Sequence, residues 1–222
     1  MIEKYRIFIP NRGRDNQIKK LLPILNSKFD KTDYKIKIIE QNDNKQFNLA
    51  KLTNIGFDIF RKEEKDLSWN YIFQPADCYP IKADYNLYKY DIVCHLILHY
   101  CKISPKLFCY NPIAFIKMNG YSNDYWGWGA EDCELKNKIA EFKLEYDLRT
   151  SDFCLEKDVP EKDVPDDLEI SQINNNTNII NLSKVSSRSR KHFLSQGLNT
   201  LEYELANTCN IDDNVFWYKV NL

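Results

Sequence analysis

Apolar and polar positions along the first third of the chain predict strands and helices in turn. Short runs rich in Ile, Phe and Tyr predict strands at residues 5–10, 34–39 and 69–73. Between them, apolar residues at helical spacing predict one helix from Asp15 onward and a second over 47–60. This order of strand, helix, strand, helix, strand is typical of an α/β fold with a central, mainly parallel sheet.

The rest of the chain has a less regular pattern. The apolar run 90–101 predicts a helix, 107–110 a strand, and 131–142 another helix. Residues 155–190 contain the tandem EKDVPEKDVP and an Asn-rich stretch, a composition that predicts an irregular, mobile segment. From Lys191 onward we expect a short helix and one or two edge strands.

Length and composition narrow the class of protein. A chain of 222 residues suits a single domain, here 1–222. The formal net charge of -1 gives no electrostatic reason to expect nucleic acid as a partner. Seven cysteines without a CxxC pair, no secretion signal and no run near the ~20 apolar residues of a membrane span predict a soluble, cytoplasmic protein with reduced thiols. The oligomeric state is not specified.

Polar residues follow each of the three early strands. Ligands of parallel α/β sheets bind beyond the carboxyl ends of the strands. Here those ends lead into the loops 10–14, 41–46 and 74–79, so we expect these three loops to converge. The side chains that they bring for binding are Arg12, Arg14 and Asp77.

The stretch YWGWGAED at 125–132 concentrates tryptophans, which are costly to expose, glycines, which are costly to order, and two adjacent carboxylates, which repel each other. Glycine permits close backbone approach, an indole face suits the apolar face of a sugar ring, and carboxylates accept hydrogen bonds from its hydroxyls. A carboxylate held at a hydroxyl can also act as a general base. The alternative is structural, because Glu131 and Asp132 would stabilise the N-terminus of the predicted helix. That alternative leaves the two Trp-Gly pairs unexplained.

In these residues the chain resembles the beta-1,4-galactosyltransferases, which carry a WGWGGED motif. Residues 9–14 (IPNRGR) are similar to the family's nucleotide-binding P-x-R-x-R loop, and 47–57 (FNLAKLTNIGF) to its F-N-R-A-K-L-x-N-x-G-F segment. Residues 119–125 (NGYSNDY) resemble N-G-F-x-N-x-Y, and 195–201 (SQGLNTL) resemble S-D-G-L-N-S-L. The matches follow the family's order over nearly the whole chain. They imply a single GT-A type domain with a Rossmann-like mixed sheet flanked by helices.

The resemblance implies an inverting glycosyltransferase. Such an enzyme would move a hexose, galactose or an N-acetylhexosamine, from a UDP-sugar to a hydroxyl of a glycan acceptor. Asp132 would be the catalytic base, and Glu131 would fix hydroxyls beside it. Donor-binding roles would fall to Pro10, Arg12, Arg14, Phe47, Asp77 and Trp128. Acceptor-binding roles would fall to Tyr125, Trp126, Ala130, Glu131 and Asp132.

The resemblance also implies Mn²⁺, and here the chain departs from the family. The family's D-x-D aligns with Pro75-Ala76-Asp77, so Asp77 is the one acid left as a metal ligand. The region where the family has a metal-binding histidine contains the EKDVP repeat and no histidine. Asp158 or Asp163 could replace it, or could belong to a solvated acidic run. Three hypotheses therefore stay open: a manganese-dependent transferase, a metal-independent transferase that uses basic side chains, and an inactive carbohydrate-binding or scaffold protein.

Two other features have alternative interpretations. His95 and His99 stand four residues apart in the predicted helix 90–101, a spacing that suits zinc, although the apolar run favours histidines packed at a core edge. The charged run 61–66 predicts a solvated helix end, and the basic run 187–191 a surface loop or a phosphate contact.

Overall fold

The computed structural model describes most of the chain. The described residues are 4–64, 69–80, 95–98, 105–110, 112–127, 129–144, 147–148, 155–157, 177, 179–185 and 188–222. Their strands are β1 Tyr5–Asn11, β2 Tyr34–Gln41, β3 Asn70–Phe73, β4 Cys78–Pro80, β5 His95–Leu98, β6 Pro105–Tyr110, β7 Asp147–Leu148, β8 Leu155–Lys157, β9 Glu204–Asn210 and β10 Val215–Asn221. Their helices are α1 Asp15–Asn26, α2 Leu49–Glu64, α3 Pro112–Lys117 and α4 Glu131–Glu141, with a short later helix Arg190–Ser195 and a 3₁₀ turn Leu198–Thr200. Residues 179–185 are also helical.

Most of these strands form one mixed sheet. Eight described strands pair in the order β7-β5-β6-β3-β1-β2-β10-β9, while β4 and β8 pair separately. The central strands β3, β1, β2 and β10 run parallel, and α1 and α2 are the connections that return the chain to the same end of the sheet for β2 and β3. The carboxyl ends of β1, β2 and β3 therefore share one edge, as the sequence predicts.

The two early helices cover opposite faces of this sheet. Ile7 and Ile9 of β1 belong to the same buried cluster as α1, whereas Phe8 packs in a second cluster with Phe57 of α2. Successive side chains of a strand point to opposite faces, so α1 and α2 lie on opposite sides. The approach of α2 is close, since a Cβ atom on Gly56 would lie 2.9 Å from the Phe8 Cβ.

Two cations are buried beneath the end of α2. Arg6 of β1 is 2% exposed and forms an ion pair with Glu64, and Lys37 of β2 is 1% exposed and pairs with Glu63. Burial lowers the pKa of Lys37 to about 8, against the opposing effect of Glu63. The prediction of a solvated end for the run 61–66 is therefore wrong for Glu64, whose side chain is 14% exposed, whereas Glu63 is 48% exposed, as predicted. They are the counter-ions of charges that the sheet buries.

The helix predicted over 90–101 is also wrong. His95–Leu98 form β5, which pairs with β6 on one side and β7 on the other. A short apolar run fits a buried strand as well as a helix, and here the sheet decides between them. The zinc hypothesis depended on a helix through His95, and His95 lies in β5 instead. His99, Cys94 and Cys101 lie outside the described residues.

Part of the segment 155–190, predicted to be irregular, forms regular structure. Within 155–190, β8 and the helical residues 179–185 are regular structure, and the part from 158 to 176 lies outside the described residues. The C-terminal strands and the short helix are confirmed, but only β9 is at an edge, because β10 lies between β2 and β9. Among the described residues, no helix is both long and apolar enough to cross a membrane.

Candidate active site

The three loops that follow β1, β2 and β3 converge. The guanidinium of Arg12 donates a hydrogen bond to the Lys45 carbonyl oxygen in the loop after β2. Arg14 Nη1 lies 2.7 Å from Asp77 Oδ2 in the loop after β3. The first loop thus contacts both others, and the predicted convergence is confirmed.

A buried asparagine shapes the first loop. The Asn11 side chain has no exposed surface; its Oδ1 accepts a hydrogen bond from the Arg14 backbone N–H at 3.1 Å, and its Nδ2 donates to Asp15 Oδ1 at 3.1 Å. Gly13 has φ 66°, a conformation that favours glycine. Pro10 is buried within β1, opposite Ile39 of β2. Asn11 was not among the predicted residues, although an asparagine directly after a strand is a known turn signal.

The loop between β2 and α2 is organised by buried amides. Gln41 Nε2 donates to Asp43 Oδ1 and to the carbonyl oxygens of residues 45 and 46, and Gln41 Oε1 accepts the Asn48 N–H. Asn48 Oδ1 in turn accepts the Lys51 N–H at the start of α2. The Phe47 carbonyl oxygen accepts a hydrogen bond of 2.8 Å from the Gly127 N–H. This last bond joins the loop to the YWGWGAED turn.

Asparagines connect the other segments that resemble the galactosyltransferase family. Asn54 exchanges hydrogen bonds with the backbone of Tyr121 and donates to Asn123 Oδ1. Asn123 Nδ2 donates to the Gly197 carbonyl oxygen at 2.7 Å, and Asn119 Nδ2 donates to Asn199 Oδ1 at 2.8 Å. The segments 47–57, 119–125 and 195–201 therefore form one hydrogen-bonded unit beneath the turn.

The turn ends at the two acids that begin α4. Gly127, Gly129 and Ala130 all have positive φ, and Ala130 is the N-cap residue of α4. Glu131 and Asp132 follow in the first helical turn, as the sequence predicts, and both side chains are half-buried. Their carboxylates interact favourably there with the helix dipole. The same turn that positions them contacts the loop after β2.

The tryptophans and the tyrosine of the turn differ in their surroundings. Trp126 is half-buried and packs against a cluster that includes Ile39 of β2, and Lys45 Nζ lies 5.8 Å from its ring centre. Trp128, predicted to contact the donor, lies outside the described residues. Tyr125 was predicted to bind the acceptor but is 2% exposed, and its hydroxyl donates to Glu134 Oε2 at 2.7 Å. Ala130 is also buried. We therefore assign Tyr125 and Ala130 to the buried residues that support the turn, and not to those that contact the acceptor.

A buried ionic network lies behind the first turn of α4. Glu134, 1% exposed, accepts hydrogen bonds from Ser122, Tyr125 and Arg188. Arg188 also pairs with Asp124 Oδ2 at 2.5 Å, and its guanidinium lies 4.6 Å from the Tyr125 ring centre. The Arg188 side chain is 5% exposed, so the prediction of a surface loop for 187–191 is wrong at this residue. Burial, and then the negative charge of Glu134, raise the pKa of Tyr125.

Lys138, one turn further along α4, completes this network. It has no exposed surface, and its Nζ donates to the Gly120 carbonyl oxygen at 2.8 Å. Burial lowers the pKa of Lys138 to about 8, although the nearby Glu134 acts in the opposite direction. Neither lysine nor glutamate carries a sequence signal for this role, because charged residues at these helix positions normally face solvent.

The helical residues 179–185, which we call the clamp, hold the turn from outside. Asn181, 1% exposed, donates from Nδ2 to the carbonyl oxygens of Trp126 and Gly129, each at 3.2 Å. Lys184 Nζ donates to the Asp124 carbonyl oxygen at 2.8 Å. The clamp lies in the segment that was predicted to be irregular, so sequence reasoning missed these contacts.

The described residues do not fit a divalent cation site. Hard cations such as Mn²⁺ need several oxygen ligands, and no group of three or more His, Cys, Asp or Glu is suitably placed in the described part of the chain. Asp77, the expected metal ligand, is paired with Arg14. The first position of the D-x-D is Pro75, whose carbonyl oxygen accepts a hydrogen bond from Gln74. Asp158 and Asp163 lie outside the described residues.

Comparisons with known protein families agree with this geometry. Residues 2–91 match the N-terminal region of glycosyl transferase group 7, and residues 93–157 match the N-terminal domain of galactosyltransferase. Mouse beta-1,4-galactosyltransferase 4 is 35% identical over 156 residues, which are 64% of this chain and 44% of the mouse protein. Bovine beta-1,4-galactosyltransferase 1 is 32% identical over 62% of this chain and 36% of its own length. The matches thus span less than half of these relatives.

Solved structures identify the fold. A Drosophila beta-1,4-galactosyltransferase 7 mutant, solved with manganese, UDP-Gal and xylobiose, superposes with a TM-score of 0.73 at 20% sequence identity. The superposition covers 100% of this chain and 94% of that one. The mixed sheet with helices on both faces is therefore a GT-A type fold. The two family-model matches and the relatives at 35% and 32% identity support a beta-1,4-galactosyltransferase-like family of glycosyltransferases for this chain.

Proposed function

We propose that this chain is an inverting transferase that moves a hexose, galactose or an N-acetylhexosamine, from a UDP-sugar to a hydroxyl of a sugar acceptor. One observation carries the proposal. The Gly127–Phe47 hydrogen bond joins the turn that begins α4 to the loop after β2, and Arg12 joins that loop to the loop after β1. The two acids and the two arginines of the motifs thus belong to one cluster of loops at the edge where α/β sheets bind ligands.

In the proposed reaction Asp132 is the general base. It takes the proton of the acceptor hydroxyl while that oxygen forms a bond to the anomeric carbon of the donor sugar. The bond from this carbon to the diphosphate breaks at the same time, and its electron pair leaves with UDP. A single displacement of this kind inverts the anomeric centre. Holding both substrates in register supplies on the order of 7–11 kcal/mol of the barrier reduction.

The remaining roles follow from the positions of the residues. Glu131, beside Asp132 in the first turn of α4, would accept hydrogen bonds from sugar hydroxyls. Arg12 and Arg14 would bind the diphosphate, and Pro10, Phe47 and Trp128 would contact the uridine and the donor sugar. Trp126 would face the acceptor. Xylobiose and UDP-Gal in the Drosophila relative support a sugar acceptor and a UDP-sugar donor here.

The inactive alternative is not favoured. A scaffold protein would need neither the paired acids nor the arginines, and the relatives with substantial identity are galactosyltransferases. We place the reaction in the cytoplasm, a proposal supported by the seven cysteines without a CxxC pair. Cys78, Cys133 and Cys209 form no disulfide.

The substitution Asp132→Asn tests the role of the base. Removing the proton acceptor while keeping the shape of the side chain should lower the transfer rate by about 10²- to 10⁴-fold. UDP binding, measured by calorimetry, should stay within about twofold because the base acts on the acceptor. Asn137→Ala, exposed on the same helix, is the matched control and should leave both measurements unchanged. Equal loss of transfer and of UDP binding in Asp132→Asn would instead show a structural role at the start of α4.

A further inference from the structure

The charged side chain that the fold brings to Asp77 is a cation. Arg14 Nη1 lies 2.7 Å from Asp77 Oδ2, at the edge where the carboxyl ends of β1 and β3 meet. The position of Arg14 is fixed by the loop itself, since the Arg14 N–H donates to Asn11 Oδ1 and Asn11 has no exposed surface. In the family, this end of the third strand is where an acid pair holds a metal. Here one acid of the pair is paired with an arginine.

The loop 74–79 around Asp77 contains no second acid that could add negative charge beside this ion pair. Gln74 is fully buried, and its Nε2 donates to the carbonyl oxygens of Pro75 and Cys78, which closes the loop as a tight turn. Within the described part of the chain, the ion pair at Asp77 is therefore the one with Arg14.

We propose that Arg14, and not a divalent cation, opposes the charge of the leaving diphosphate. This inference rests on the proposed function and specifies how its donor site works. A guanidinium has five N–H donors, more than one carboxylate oxygen can use, and its planar shape matches two phosphate oxygens at once. Asp77 then orients Arg14 instead of binding a metal. When the bond between the sugar and the diphosphate breaks, the added negative charge develops opposite this guanidinium.

The test is calorimetric titration of UDP into the full chain, with Mn²⁺ and again with excess EDTA. We expect the two dissociation constants to agree within about threefold. Arg14→Met should weaken UDP binding about 10- to 100-fold in both conditions, because a charge-assisted contact is lost. Arg14→Lys should recover part of that loss. Lys19→Met, an exposed cation on α1, is the control for net charge and should bind UDP like the wild type.

Asp77→Asn separates the two roles of that carboxylate. If Asp77 only orients Arg14, the response to Mn²⁺ should stay absent in this variant. Wild-type binding that tightens more than about tenfold with Mn²⁺, and loses this gain in Asp77→Asn, would overturn the inference while leaving the proposed function intact. No binding of UDP or of any UDP-sugar in either condition would overturn the proposed function itself. Thermal unfolding of each variant verifies that the fold is retained.

Discussion

At the scale of single residues, amide side chains and glycines fix the candidate site. Asn119 illustrates this: its Nδ2 donates to carbonyl oxygens of the short helix Arg190–Ser195, and its backbone carbonyl oxygen accepts the Leu198 N–H. Gly197, with φ 142°, comes so close that a Cβ atom there would lie 1.9 Å from the Asn119 carbonyl oxygen. The junction between 119–125 and 195–201 therefore leaves no room for a side chain.

The contrast between two glycines tests this junction. Gly197→Ala should lower the free energy of unfolding by at least about 2 kcal/mol more than Gly13→Ala does, as measured by urea denaturation. Both glycines have positive φ, but a Cβ on Gly13 would meet no atom within 4 Å. Gly13→Ala thus carries only the conformational cost, about 1–2 kcal/mol. Equal losses in the two variants would contradict the close contact at Gly197.

At this scale, the sequence predicted the residues of the candidate site better than the buried residues that support them. Arg12, Arg14 and Asp77 were predicted to converge because strand ends in a parallel sheet share an edge, and their loops do meet. Glu134 and Lys138 were missed, because nothing in a sequence shows that a charged helix residue has a buried partner from a segment about 50 residues away, as Arg188 is for Glu134. The assigned roles of Asp132 and Trp128 stay predictions.

At the scale of elements, the clamp and α4 hold the turn between them. The N-terminus of α4 begins directly after the turn, and the clamp donates to the carbonyl oxygens of Trp126 and Gly129 from the other side. Backbone carbonyl groups without a partner are costly to bury. Because the clamp provides the hydrogen-bond donors for these carbonyl oxygens, the turn keeps its shape as long as the clamp and α4 stay packed against it.

Asn181→Ala should loosen the turn without touching the arginines of the donor loops. We expect a loss of stability of about 1–2 kcal/mol and a lower rate of transfer, with UDP affinity nearly unchanged, because Asn181 donates hydrogen bonds to the Trp126 and Gly129 carbonyl oxygens of the turn that leads into Glu131 and Asp132. Calorimetry and a transfer assay measure the two properties. Ser183→Ala, exposed on the same helix, is the control. A variant with lower stability and an unchanged rate would show that the clamp does not position the turn.

Helices and strands were predicted correctly where the spacing of apolar residues fitted only one of the two structures. Amphipathic spacing identified α1, α2 and α4, and β-branched runs identified β1, β2 and β3. The run containing β5 was mistaken for a helix, because interior strands of a sheet are apolar on both faces and lose the alternation that identifies a strand. The clamp was missed because its Asn-rich approach favours a loop, while the contacts that make it helical come from the distant turn.

At the scale of the whole molecule, buried lysines make stability depend on pH. Lys37 and Lys138 have folded pKa values of about 8, lowered by burial from 10.5. Between these values the unfolded chain binds more protons than the folded one, so the free energy of unfolding should rise as pH increases from 8 to 10. Tyr203 and Tyr218 act in the opposite direction above pH 10, because burial raises their pKa.

Urea denaturation across pH 7.5 to 10 measures this slope. Each lysine contributes up to about 1.4 kcal/mol per pH unit within its window. Lys138→Met replaces the buried ammonium with an apolar side chain of similar length, so its slope should be about half that of the wild type. An identical slope in the variant would mean that Lys138 titrates as it does in water.

The position of β10 has a consequence for how the chain acquires its fold during synthesis. β2 pairs with β1 on one side as soon as both have been made, but its other edge waits for β10, and Asn42 bonds with Asn221, 179 residues later in the chain. Until then an apolar strand edge stays open to other chains. The edge of β2 is therefore exposed to aggregation until Val215–Asn221 have been synthesised, and chaperone supply should govern the yield in expression hosts more strongly than the stability of the finished fold.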